Sequence, residues 1–184
     1  MIIRRQFMPP HDTACNLVSV PRYSESMSMQ IVKDYLTKQL ESSLDTYLKD
    51  LEAMSEEDLL NGVNGNERKG IDFSYEVAYV CHRFATRLQG GTPEPWPEGG
   101  WMMAPAEFRT KAAATAHMQE SMTELIDAWK LIPAEEITKV IVLPSSETSP
   151  LDLVFSCCWH NGYHDGQLNY IQELKGDLVM HWQD

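Results

Sequence analysis

PLDLVFSCCWHNGYHDGQLNYIQELKG, residues 150–176, carries two histidines four positions apart within a segment of helically spaced apolar residues. On an α-helix, positions i and i+4 lie one above the other, so His160 and His164 project from one face with ring nitrogens able to converge. Leu153 and Cys157 extend that face in one direction, and Leu168 and Ile171 in the other, as an apolar stripe that points into a helical core. Burial favours the neutral imidazole, which is the metal-binding form. The same spacing suits two hydrogen-bonded core histidines, and spacing alone leaves both readings open. HNGYH is not the zincin pattern, because Asn161 stands where that pattern needs a general-base Glu.

Both ends of the segment are marked. Ser149 can cap the helix, Pro150 suits its first turn, and Asp152 adds a negative charge near its N-terminus. Gly176 supplies the stop.

Upstream, ITKVIVL at 137–143 is the one strand signal, short and β-branched, able to pair in a small ribbon or pack as an extended crossover. A helix is expected over 106–131, with Met118, Met122, Leu125 and Trp129 on one side. Before it, GGTPEPWPEGGWMMAP at 90–105 is a loop whose Trp96 and Trp101 can either cover a pocket mouth or patch apolar surface. Another helix is expected over 72–89, with the stripe Phe73, Val77, Val80/Cys81, Phe84 and Leu88, stopped by Gly90 and Gly91. His82 lies off the middle of that stripe. A long first helix spans 26–54, and Ser55 to Asp58 begin a short extra turn before an Asn- and Gly-rich loop. Residues 1–25, with Pro9, Pro10, Pro21 and His11, form an N-terminal arm ahead of a single domain over 26–184.

The expected fold is all-α: a four-helix bundle with a crossover and a short strand-like insert before the last helix. A chain of 184 residues can build such a core without a disulfide framework. Against 15 Lys and Arg stand 27 Asp and Glu, a net charge of −12 that argues against nucleic-acid and anionic-membrane partners. The four cysteines, Cys15, Cys81, Cys157 and Cys158, fit neither a disulfide framework nor a paired CxxC zinc site. With no apolar run of membrane length, the expectation is a cytoplasmic protein with reduced thiols. Cys157, one turn before His160, is either a small apolar core residue or a further ligand or nucleophile.

The pattern H-x3-H-x-G-Q-[IL], filled by His160, His164, Gly166, Gln167 and Leu168, resembles the last helix of the DinB/YfiT-like bundle family. The resemblance runs over about 26–177, and Asp165 departs from the bulky or basic residue often found there. It implies a third ligand from the second helix, assigned to His82, and hence a three-histidine site for zinc, nickel or iron with open coordination positions. Gln167 would orient a ligand or bound water. The resemblance further implies a homodimer and, in some members, a metal-dependent S-transferase that activates a low-molecular-weight thiol against a small electrophile. The alternative is a non-catalytic metal-binding bundle, a sensor or stress-related dimer.

Overall fold

The structure is a computed structural model that describes residues 25–65, 67–99 and 102–183. The expected arm, with His11 and Cys15, and Trp101 of the long loop lie outside the described residues. The fold is all-α, and its four long helices are α1 (Glu25–Ala53), α3 (Gly70–Leu88), α4 (Lys111–Leu131) and α5 (Pro150–Leu174). A short α2 (Glu56–Asn61) occupies the expected extra turn. α3 packs against α4 and α5, and α1 packs against the same two helices. Among the described residues, no helix is long and apolar enough to cross a membrane.

The apolar faces read from sequence meet in one core. Leu40, Tyr47, Leu51, Ile71, Val77, Met118, Met122, Leu125, Trp129 and Leu168 are all fully buried. Two polar pairs close within it: Trp129 Nε1 donates to Thr37 Oγ1 at 3.0 Å, and the Tyr47 and Ser74 hydroxyls lie 3.0 Å apart. Such pairing removes the penalty of burying a donor without an acceptor.

Two expected elements change. α4 begins at Lys111 rather than 106, because Arg109 is non-helical and the Thr110 hydroxyl caps the helix by accepting from Ala113 N at 3.1 Å. The strand expected over 137–143 shrinks to Ile141–Val142, paired antiparallel with Glu147–Thr148 in register Ile141 to Thr148. Burial explains the loss: Ile137 is fully buried in the helical core, and its carbonyl accepts from Leu151 N at 2.8 Å.

α5 begins and ends where its sequence signals lie. Ser149 Oγ accepts from Asp152 N at 3.1 Å, and its hydroxyl donates to Asp152 Oδ2 at 2.6 Å. Gly176 leaves the helix at φ +93°, a conformation open to glycine. The long loop is tied to α3 through buried Asp72, whose Oδ1 accepts from Ala104 N at 2.9 Å and Arg109 Nη1 at 2.8 Å.

Candidate metal centre

His160 and His164 do converge, with Nε2 atoms 3.1 Å apart and rings edge to face. The third group beside them is Glu76 of α3. Its Oε1 lies 3.6 Å from His160 Nε2 and 3.8 Å from His164 Nε2. A point equidistant from these three donors is about 2.0 Å from each, within the roughly 2.0–2.2 Å of zinc–nitrogen and zinc–oxygen bonds. Three donors from two helices are thus spaced for one ion. Two imidazoles with a carboxylate occur in zinc and in non-haem iron sites.

The surroundings fix the donors. His164 is buried, its ring stacked on Phe73 at 5.5 Å and met edge-on by Tyr163 at 4.9 Å. Its Nδ1 lies 2.7 Å from Gln167 Oε1. A carboxamide oxygen only accepts, so Nδ1 carries the proton and the Nε2 lone pair faces Glu76 and His160. Arg68 Nη2 donates to Glu76 Oε2, leaving Oε1 to the histidines. Burial pushes the Glu76 carboxyl up, but the neighbouring His160 and His164 and the charge and hydrogen bond of Arg68 outweigh it and hold the group well below the ordinary range. The carboxylate is therefore ionised, as a ligand must be.

The set borders an open cavity of about 370 Å³ lined by Asn64, Arg68, Phe73, Tyr163, Gln167 and Tyr170 among others. Four of those residues also touch the candidate ligands: Arg68 touches Glu76, while Phe73, Tyr163 and Gln167 surround His164. The room for a small molecule is thus lined by residues that touch the donors.

His82 is not part of this set. Its Nδ1 lies 2.6 Å from Glu124 Oε2 on α4, and its side chain is 55% exposed. The reason is helical phase: Glu76 and His82 are six residues apart on α3 and point about 120° from each other. Glu76 shares a face with Phe73 and Val80, so it stands as a single acid within the apolar stripe, the signal that could have found it. Arg68, which arrives on the loop before α3, had no sequence signal. Cys157 also turns elsewhere, its Sγ 3.3 Å from Cys81 Sγ. Trp96 does not cover the cavity but packs on Tyr79 and Arg83. His117 sits against Phe108 and Tyr75, and His181 pairs with Asp177.

No protein-family model matches the chain. A search of curated proteins also finds no match.

Proposed function

We propose that this chain binds a divalent transition metal through Glu76, His160 and His164, in a four-helix bundle with a crossover similar to the DinB/YfiT-like family. The observation that carries the reading is the common distance of about 2.0 Å from one point to three donors on α3 and α5, the bond length that zinc and its neighbours require. Zinc, nickel and iron all suit the donor types. The motif over His160, His164, Gly166, Gln167 and Leu168 supports the family resemblance, with the second-helix ligand supplied by Glu76 in place of His82.

The reaction we propose is transfer of a low-molecular-weight thiol to a small electrophile. A bound ion would supply positive charge that acidifies a thiol at the site. The chain's own residues have separate tasks. Gln167 holds the proton on His164 Nδ1, Arg68 balances the Glu76 charge, and Phe73 shields the His164 ring from water. Asn64, Tyr163 and Tyr170 line the cavity where the electrophile would rest.

The homodimer belongs to the same proposal and is supported by an apolar surface. Phe155 and Trp159 on α5 are 64% and 65% exposed, and Ile31 and Tyr35 on α1 are also exposed. Buried thiols at Cys81 and Cys157 suit a reducing compartment such as the cytoplasm.

The test is elemental analysis of untagged protein, followed by metal titration of Glu76→Gln and His160→Ala. One equivalent of divalent metal in the parent and none in the variants is expected. Divalent metal kept by both variants overturns the site. Turnover of thiol and electrophile panels that disappears in His160→Ala supports the transferase; metal bound without turnover leaves the non-catalytic sensor or stress-related dimer.

A further inference from the structure

We propose that Cys81, Met122 and Cys157 form a second metal site, specific for one soft monovalent cation such as copper(I). Each sulfur comes from a different helix: Cys81 from α3, Met122 from α4 and Cys157 from α5. Cys81 Sγ lies 3.2 Å from Met122 Sδ and 3.3 Å from Cys157 Sγ, and Cys157 Sγ lies 4.0 Å from Met122 Sδ. All three residues are fully buried. A point equidistant from the sulfurs is about 2.1 Å from each, and a small displacement from their plane gives the roughly 2.3 Å of a metal–thiolate bond.

Sulfur alone would pass as core packing, since buried cysteine and methionine behave as apolar groups. Asn161 argues for more. This carboxamide is only 1% exposed, and its side-chain hydrogen-bond partners among the described residues are all sulfur. Nδ2 lies 3.1 Å from Met122 Sδ, and Oδ1 lies 3.7 Å from each thiol. Burying an amide against such weak partners is costly. A cation among the sulfurs would give the amide dipole a charge to face.

The donors choose the ion. Thiolate and thioether suit soft ions, copper(I) and zinc among them, and the thioether with a neutral final charge favours the monovalent one, whereas imidazole and carboxylate suit the ions assigned to Glu76, His160 and His164. Charge points the same way. Cys81 and burial push the Cys157 thiol well up, so Cys157 enters the site as a thiol. Binding replaces one S–H bond with an S–metal bond and releases one proton, and no electron moves. One thiolate, one thiol, one thioether and a monovalent cation sum to zero charge, the state a buried site tolerates.

The experiment is anaerobic titration of the full-length protein with copper(I) against a colorimetric chelator, with X-ray absorption on the loaded protein. We expect one equivalent held by sulfur scatterers and about one proton released per ion. Met122→Leu, which conserves volume, and Cys157→Ala should each weaken binding at least tenfold. Glu76→Gln combined with His160→Ala should leave it unchanged, which separates this site from the divalent one. Retained helical circular dichroism shows that each variant is folded, and if Cys157→Ala does not fold, Met122→Leu and the parent's absorption spectrum decide. Copper that stays with the chelator, a nitrogen and oxygen shell, or loss of binding only in the Glu76 and His160 variant overturns the proposal. So does the loss of two free thiols in anaerobically purified protein, which would make Cys81 and Cys157 a disulfide.

Discussion

Gln167 Oε1 lies 2.7 Å from His164 Nδ1, one turn along the same helix, and it settles which ring nitrogen of His164 faces Glu76. Replacing Gln167 with Leu removes that acceptor while keeping similar bulk. Outer partners of metal-binding histidines are worth about 10–100-fold in affinity. Gln167→Leu is therefore expected to weaken zinc or nickel binding by that factor, and Gln167→Glu, which can still accept the Nδ1 proton, to restore most of it. Competition against a chelator reads both; equal affinity in all three proteins contradicts the positioning role.

His82→Ala separates the sequence assignment from the geometry. The side chain is 55% exposed and paired with Glu124, so its loss should change stability by no more than about 1 kcal/mol. Metal stoichiometry should stay at the parent value in the same preparation. A drop like that of His160→Ala would return His82 to the ligand set.

Asp165 makes stability depend on pH. Burial and the neighbouring Asp50 push its carboxyl up to about 8, against about 3.9 in an unfolded chain. The folded protein thus holds a proton that the unfolded one releases. The stability linked to that proton is full below about pH 3.9 and is lost as pH rises through about 8. Asp165→Asn carries no such proton. Its melting temperature should fall less than the parent's between about pH 5 and 8 and exceed it above that range by roughly 2–4 °C, the shift expected for about 1 kcal/mol. Parallel melting curves across the pH series would refute this.

Asp72→Ala should release the long loop and spare the metal. Asp72 accepts from Ala104 N and from Arg109, and losing hydrogen bonds to a buried charge costs about 2–3 kcal/mol. Limited proteolysis should move to residues 90–104. Zinc titration should remain as in the parent, because the anchor lies outside the donor set.

Much of the fold was legible because its signals were local. Ser149, Pro150 and Gly176 bound α5, and the stripe through Leu153, Cys157, His164 and Leu168 set its buried face. The ribbon was over-read because β-branching in ITKVIVL says nothing of burial, and Ile137 enters the helical core instead. The histidine pair was visible from spacing, but its third partner was not. A histidine attracts attention on any helix, while an acid is usually read as solvated, and only helical phase places Glu76 rather than His82 beside His160.

Glu76 and His160 stand far apart along the chain yet side by side in space. An ion gripping both would act as a clip across a long stretch of polypeptide, withdrawing freedom from the denatured ensemble much as a covalent cross-link does. Because only the native arrangement gathers all three donors, mass action would favour it wherever the ion is plentiful. The lifetime of this protein in the cell would then follow the local metal supply, even for a copy that never meets a substrate.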